Sequence, residues 1–321
     1  KNQDLYLGRM MRYYIRTDNL QQVLQYKEHF FPLKKALGSQ DLTELSGYLL
    51  DKRYGKLKPA EENLRFSIEN VRELLERAVK ADPNNPIALY NFGRYFEATA
   101  SNPSAKKMFQ SALDAFAKQK IRNNRDTYKY INTYRLMGES NTSDKEYIPA
   151  EQMYDKGIEL FENERTSSGF ASTEDIGKLY ADLADLNYFV SGDMDSALRN
   201  YQNSINNKND TPSIRYRVGY IQYNNKNYPD ALGSFIVSSE GTSNDTHLLL
   251  ALANTLNIRE DNYAAQGYYE KLLTILDKER QLHNVLLPQV REDQADIVDT
   301  YMKAANNLGV TLNRIAQQTG D

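Results

Sequence analysis

Alanine and large aromatic residues recur with a constant spacing along the second half of this 321-residue chain. Within residues 178–279 an alanine appears every 34 positions, and an aromatic residue follows each alanine four positions later. The pairs are Ala197 with Tyr201, Ala231 with Phe235, and Ala265 with Tyr269. A fixed period of this length predicts an array of helix–turn–helix repeats.

A second recurring position indicates how the helices of each repeat pack. Counting places from Lys178, Pro212 and Thr246 puts the alanine at the twentieth place and the aromatic residue at the twenty-fourth. The eighth place is occupied in turn by Asp185, Gly219 and Ala253. Two helices cross closely only where side chains are small, and large apolar residues then fill the space on either side. We therefore expect each repeat to be an antiparallel helix pair.

The first half of the chain shows the same pattern less regularly. Residues 86–119 keep it most fully, with apolar or small residues at Leu89, Phe92, Gly93, Phe96, Ala105, Phe109 and Ala112. Residues 1–34 form an earlier repeat. Between them, helices are predicted over 42–53 and 60–81, so this second repeat is irregular.

Polar stretches interrupt the array further on. A long polar loop is predicted at 139–145 inside the fourth repeat, and a Ser- and Gly-bearing connector is predicted at 163–172. The last stretch predicts a long helix over 290–317, in which Leu308 and Gly309 take the seventh and eighth places. Because no second helix follows it, we expect this helix to be unpaired and the chain to be a fragment of a longer array.

These residues resemble the tetratricopeptide repeat (TPR) family, and the Asp-Pro-Asn-Asn-Pro sequence at 82–86 is similar to a junction between TPR repeats. The resemblance implies an all-α fold, a right-handed superhelical solenoid of helix–turn–helix repeats. It also implies N-terminal repeats over 1–162, the connector, and C-terminal repeats over 173–321.

Composition excludes some classes of function and leaves others open. The formal net charge of −3 gives no electrostatic footprint for nucleic acid. There is no cysteine, so neither disulfide nor thiolate chemistry is expected. No apolar run of about 18 residues exists, so we expect no membrane insertion by this segment. The chain begins at Lys1 without an initiator methionine, which indicates a segment of a longer protein.

No catalytic or metal-binding motif is recognisable. The sequence has no GxGxxG, P-loop or HExxH pattern, and its three histidines, His29, His247 and His283, lack metal-ligand spacing. His247 is placed to face a groove, but a structural role is the more economical interpretation of a lone histidine. We therefore expect a protein that is not an enzyme and that holds no cofactor and no metal.

The TPR resemblance implies that the first helix of each repeat lines a concave groove that binds extended peptides or helices. By that resemblance, the groove candidates are Tyr90, Asn91, Arg94, Tyr216, Arg217, Tyr220, Tyr223, Asn254, Asn257, Asn306 and Arg314. Tyr216, Tyr220 and Tyr223 share one helix face, where tyrosine would supply rigid contact area with a polar tip. Packing of these tyrosines against neighbouring first helices is the alternative interpretation.

The sequence favours a scaffold or adaptor that binds one or more proteins along the groove within a larger assembly. One alternative is the regulatory region of a larger protein whose catalytic or membrane part lies elsewhere. End-to-end self-association is a further possibility. Residues 304–312 also resemble, faintly, large bacterial TPR proteins of the cell envelope, including those of the spirochete periplasmic flagellar collar. The Lys and Asn pair with which some TPR proteins hold a terminal carboxylate is not present in any single repeat.

Overall fold

The computed structural model describes residues 2–30, 38–54, 68–119, 122–240, 242, 244–282 and 295–320. These residues form fifteen α-helices and one π-helical turn, and no strand occurs among them. The prediction of an all-α fold is confirmed. The chain divides into two compact units, here called the N-lobe (Lys1–Ala171) and the C-lobe (Ser172–Asp321).

The N-lobe contains four helix pairs, and each first helix packs against the second helix of its pair. The helices are α1 (Asn2–Arg16), α2 (Leu20–Phe30), α3 (Ser39–Tyr54), α4 (Ile68–Ala81), α5 (Pro86–Ala98), α6 (Asn102–Ala117), α7 (Asn124–Ser143) and α8 (Tyr147–Ser168). The predicted helix over 60–81 is described from Ile68 onward, and its first residues lie outside the described part of the chain.

The C-lobe contains three helix pairs and a last helix that packs on the preceding pair. The elements are α9 (Glu174–Leu186), a π-helical turn (Asn187–Ser191), α10 (Met194–Asn206), α11 (Pro212–Asn224), α12 (Tyr228–Ser239), α13 (Thr246–Ile258), α14 (Asn262–Leu282) and α15 (Ala295–Thr319). The helix predicted over 290–317 corresponds to α15, and residues 290–294 lie outside the described part.

Short polar residues define where several first helices begin. The side chain of Asn85 accepts hydrogen bonds from the backbone N–H groups of Ile87 and Ala88 at the start of α5. Thr173, Thr211 and Asp245 cap α9, α11 and α13 in the same way. Each cap satisfies a backbone donor that the helix itself leaves unpaired. The turn sequences therefore place the first helices that carry the predicted groove residues.

The predicted helix crossings are present, and glycine is what permits them. At the eighth place of three repeats, a Cβ atom would collide with the aromatic ring at the twenty-fourth place. The pairs are Gly93 with Phe109, Gly138 with Tyr154, and Gly219 with Phe235. All three rings are buried. A hydrogen in place of a side chain thus sets the distance between the two helices of a repeat.

In the repeat formed by α9 and α10, a carboxylate takes the place of that glycine. The side chain of Asp185 accepts a hydrogen bond of 2.5 Å from the hydroxyl of the fully buried Tyr201. It also accepts one of 2.5 Å from Arg217 of the next repeat. The aromatic residue here is held by hydrogen bonding to its polar tip rather than by contact with a bare backbone.

The polar loop predicted at 139–145 is helical over most of its length, because α7 continues to Ser143. Ser140 and Asn141 are buried in the lobe. The side chain of Asn102 donates a hydrogen bond of 3.0 Å to the carbonyl oxygen of Ser140. Small polar residues are typical of loops, but here they belong to a packed helix, and the Ser140 hydroxyl is buried without a hydrogen-bond partner in the described part of the chain.

The connector predicted at 163–172 is shorter, because α8 continues to Ser168 and Gly169 ends it with a φ of +68°. That left-handed conformation suits glycine and is a common helix terminus. The next residue, Phe170, is buried against the ring of Tyr128, with 4.1 Å between ring centres. The Tyr128 hydroxyl also donates 2.7 Å to the carbonyl oxygen of Ala171. The end of the N-lobe is therefore anchored.

The last helix presents the eighth-place glycine without the usual aromatic neighbour. No atom among the described residues lies within 4 Å of a Cβ built at Gly309. Leu312, on the same face, is 42% exposed. In the described residues, the face of α15 around Gly309 thus lacks the aromatic ring that covers Gly93, Gly138 and Gly219.

Replacing Gly219 with alanine should lower the free energy of unfolding by about 1–3 kcal/mol, because the new methyl group must displace the Phe235 ring. A Cβ at this position would lie 2.7 Å from Cδ1 of that ring. Gly233, a helical glycine in the same repeat, has no atom within 4 Å of such a Cβ and is the matched control. Gly233→Ala should raise the free energy of unfolding by up to about 1 kcal/mol, since alanine is the better helix former. Urea unfolding followed by circular dichroism compares the two, and equal shifts would contradict the crossing.

Replacing Asp185 with alanine should cost about 1–3 kcal/mol, because the buried Tyr201 hydroxyl loses its acceptor. The pair between Asp210 and Arg215 is a matched control, since its side chains are about as exposed as those of Asp185 and Arg217 but no buried hydroxyl depends on it. Asp210→Ala should cost at most about 1 kcal/mol. Thermal unfolding of both variants tests this, and similar melting temperatures would show that the hydroxyl contributes little.

Candidate functional site

A tyrosine-lined cleft of about 410 Å³ opens in the C-lobe. Its aromatic wall consists of Tyr188, Tyr216, Tyr220 and Tyr223, with Phe235 beneath them. Helices α13 and α15 complete the wall with His247, Leu250, Ala251, Asn254 and Lys303. The first helices of three successive repeats and the π-helical turn therefore converge on one concavity, here called the tyrosine cleft.

The three tyrosines predicted on one face of α11 do share the tyrosine cleft, and they differ in exposure. Tyr220 is 40% exposed, while Tyr216 and Tyr223 are half-buried. The ring of Tyr216 lies 5.8 Å from that of Phe235 in the core and 6.4 Å from that of Tyr220. Tyr216 thus connects the core to the surface, and Tyr220 is the most exposed of the three.

The phenols of Tyr188, Tyr216 and Tyr223 stay protonated at neutral pH, because burial raises their pKa values. Burial raises the pKa of Tyr216 to about 12, and the nearby Asp245 carboxylate adds to the shift. Burial also raises the pKa of the Tyr188 and Tyr223 phenols. A protonated phenol both donates and accepts hydrogen bonds, so the aromatic wall has uncharged polar tips.

Asn254, another predicted residue, lines the same cleft, and the oxygen of its side-chain amide is hydrogen-bonded within the lobe. Its Oδ1 accepts hydrogen bonds of 2.7 Å from the Tyr269 hydroxyl and 2.9 Å from Asn307. Within the described residues, no group accepts from its Nδ2. The structure therefore fixes the side chain and leaves its Nδ2 donors unpaired within the described residues.

The remaining predicted residues of the C-lobe bind other parts of the lobe. Arg217 pairs with Asp185. The guanidinium of Arg314 donates to the backbone oxygen of Asn257 at 3.1 Å and to its Oδ1 at 2.9 Å, which ties α15 to α13. Asn306 is exposed and donates 3.4 Å to its neighbour Asn307. None of these four predicted residues, Arg217, Asn257, Asn306 and Arg314, is part of the cleft wall.

The three residues predicted in the N-lobe make contacts between its repeats. Tyr90 is buried, and its hydroxyl accepts a hydrogen bond of 2.8 Å from Asn132. Arg94 pairs with Asp51 at 2.8 Å. Asn91 is fully buried and donates 3.2 Å to the carbonyl oxygen of Thr43.

A second, more polar cavity of about 580 Å³ adjoins these N-lobe residues. The Oδ1 of Asn91, at its wall, is buried without a hydrogen-bond partner in the described part of the chain. Burial, followed by repulsion from Arg125, lowers the pKa of Lys129 to about 8. Acidic groups such as Glu44 and Asp126 share the wall, so this cavity has no single charge preference.

Four residues of the cleft wall, Tyr188, Leu250, Ala251 and Lys303, were not predicted. Lys303 takes the second place of its repeat, and Leu250 and Ala251 take the fifth and sixth. The TPR resemblance assigns these places to the groove, so the sequence carried a signal for all three. Tyr188 takes the eleventh place, where a core residue is usual. The π-helical turn that begins at Asn187 changes the hydrogen-bond spacing from four residues to five, so side chains beyond it leave the repeat pattern.

The described residues contain no group of three or more His, Cys, Asp or Glu side chains arranged to hold a metal ion. In the same residues, no helix combines the length and the apolarity needed to cross a bilayer. The polar groups that line the tyrosine cleft are phenols, the Asn254 amide, the His247 imidazole and the Lys303 ammonium.

Comparison with known proteins bears on the fold. No protein-family model matches the chain, and no curated protein matches it. Among solved structures it is similar to that of pilF from Pseudomonas aeruginosa, with a TM-score of 0.52 and 16% identity over 78% of this chain and 93% of that one.

Two further solved structures are similar at a TM-score of 0.49. One is a tetratricopeptide repeat protein from Parabacteroides merdae, with 12% identity over 95% of this chain and all of that one. The other is YrrB, described as a TPR protein with an unusual peptide-binding site, with 16% identity over 63% of this chain and 91% of that one. The glycine–aromatic crossings, the paired helices and the similarity to the pilF structure agree on one fold. The chain has the fold of the tetratricopeptide repeat proteins.

Proposed function

We propose that this chain is a protein-binding scaffold that holds a peptide or helix of a partner protein in the tyrosine cleft of the C-lobe. The observation that carries the proposal is the convergence of four tyrosines, three from α11 and one from the π-helical turn, on one open concavity. Tyrosine gives contact area with little loss of side-chain entropy, which is why it is enriched where binding energy concentrates.

The size and polarity of the cleft suit a peptide side chain with its backbone. A volume of about 410 Å³ lies within the usual range of binding sites for small groups. The free Nδ2 donor of Asn254 fits a backbone carbonyl oxygen, which every peptide supplies. An apolar wall with a few directed polar groups is the usual composition of such sites.

The N-lobe contributes to the scaffold as a support in this proposal. Tyr90, Asn91 and Arg94 hold its first helices together, and they leave less free surface than the tyrosines of the C-lobe. We assign partner binding to Tyr216, Tyr220, Tyr223 and Asn254, and we assign packing to the N-lobe residues.

Replacing Tyr216 and Tyr220 with alanine should weaken binding of a native partner at least about tenfold, or ~1.4 kcal/mol. The partner is first captured from source-cell lysate on the immobilised chain, identified by mass spectrometry and purified, and its affinity is then measured by calorimetry. Tyr263→Ala is the matched control, because Tyr263 is 64% exposed on α14 and lies outside the cleft wall.

Circular dichroism separates folding from binding in this experiment. Because Tyr220 is largely exposed, Tyr220→Ala alone should keep the helical spectrum and still weaken the complex. Unfolding of the double variant would identify Tyr216 as a core residue and leave Tyr220→Ala as the deciding measurement. Unchanged affinity for Tyr220→Ala and for a folded double variant would exclude the tyrosine cleft as the site.

A further inference from the structure

The charges around the tyrosine cleft are predominantly negative. Lys303 is paired with Asp299 at 2.5 Å between Nζ and Oδ2. Asp296 lies 3.3 Å from Nε2 of His247 and also acts on the Lys303 ammonium. Two carboxylates, Asp296 and Asp299, therefore surround the single lysine of the cleft wall.

A further carboxylate stands at the start of α13. Asp245 accepts a hydrogen bond of 2.9 Å from the backbone N–H of Leu248, and it is close enough to Tyr216 to influence the phenol. No described lysine or arginine forms an ion pair with it. Asp245 and Asp296, here called the rim carboxylates, thus leave negative charge beside the aromatic wall.

Aromatic rings themselves favour a cation, because their faces carry negative electrostatic potential. The C-lobe already makes such contacts internally. The guanidinium carbon of Arg217 lies 5.0 Å from the centre of the Phe189 ring, and that of Arg280 lies 4.5 Å from the centre of the Tyr301 ring. In the tyrosine cleft no described arginine occupies the corresponding position over Tyr216, Tyr220 or Tyr223.

We propose that the tyrosine cleft recognises a basic segment of its partner, with an arginine side chain lying against the tyrosine faces and its charge facing the rim carboxylates. This inference rests on the proposed function and names the chemical class of the partner. A planar guanidinium suits the cleft because it stacks on rings and donates hydrogen bonds to carboxylates at its edges. An acidic side chain would meet the rim carboxylates with no free cation to offset them.

The test uses the intact chain and three fluorescein-labelled peptides of equal length, in which glycine alternates with arginine, glutamine or glutamate. Fluorescence anisotropy measures each affinity. The arginine peptide should bind at least about tenfold more tightly than the glutamine peptide, and the glutamate peptide should bind most weakly. Added salt should weaken the arginine complex, because it screens the rim carboxylates.

Three variants locate the binding. Tyr216→Ala with Tyr220→Ala should abolish most of the affinity for the arginine peptide. Asp245→Asn with Asp296→Asn should reduce it several-fold without loss of structure, since asparagine caps a helix as well as aspartate does. Glu240→Gln removes an exposed carboxylate of the same lobe outside the cleft wall and should leave the affinity unchanged.

The outcomes separate this inference from the proposed function. The glutamine or glutamate peptide could bind as tightly as the arginine peptide and still depend on the tyrosines. That result would overturn the preference for positive charge, but the cleft would remain a binding site. Failure of the arginine peptide to bind would also overturn the inference, while partner capture sensitive to Tyr220→Ala would still support the function. Arginine-peptide binding that survives the tyrosine changes lies elsewhere and overturns the inference. If the double tyrosine variant is unfolded by circular dichroism, Tyr220→Ala decides the point.

Discussion

The close crossing of the two helices in each repeat is the contact on which the rest of this structure depends. In three repeats an aromatic ring from the second helix lies on the backbone of the first, and glycine at the eighth place makes room for it. Leu and Phe side chains then pack around the crossing. The tyrosines of α11 lie beside this crossing, where Tyr216 and Tyr223 pack against the cluster that contains Phe235 and Tyr220 is exposed.

Where a carboxylate replaces the glycine, a hydrogen bond holds the aromatic residue of the crossing. In the repeat of α9 and α10, Asp185 binds the hydroxyl of the aromatic residue and also binds Arg217 from the following repeat. The Asp185 carboxylate thus stabilises the helix crossing of its own repeat and also the contact with the next repeat. The nearby π-helical turn brings Tyr188 into the tyrosine cleft, so an irregular repeat helps to form the wall of the site.

The predicted groove residues of the two lobes differ in how deeply they are buried. In the N-lobe, the groove residues Tyr90 and Asn91 are buried between first helices and take part in hydrogen bonds there. In the C-lobe, Tyr220 is 40% exposed. Predicted groove residues are therefore buried between helices in one lobe and partly exposed in the other, where we propose that they bind a partner.

The 34-residue spacing by itself determined the all-α fold, the helix pairs and the contacts of Gly93 and Gly219, since small and aromatic residues at fixed places are required for close crossing. It also placed three tyrosines on one face of α11. Only the tertiary structure decided that Asn257 binds Arg314, that α7 and α8 run through polar residues, and that Tyr188 joins the cleft. Those outcomes depend on hydrogen bonds and approaches between helices distant in sequence, and a local pattern of residue types does not contain those distances.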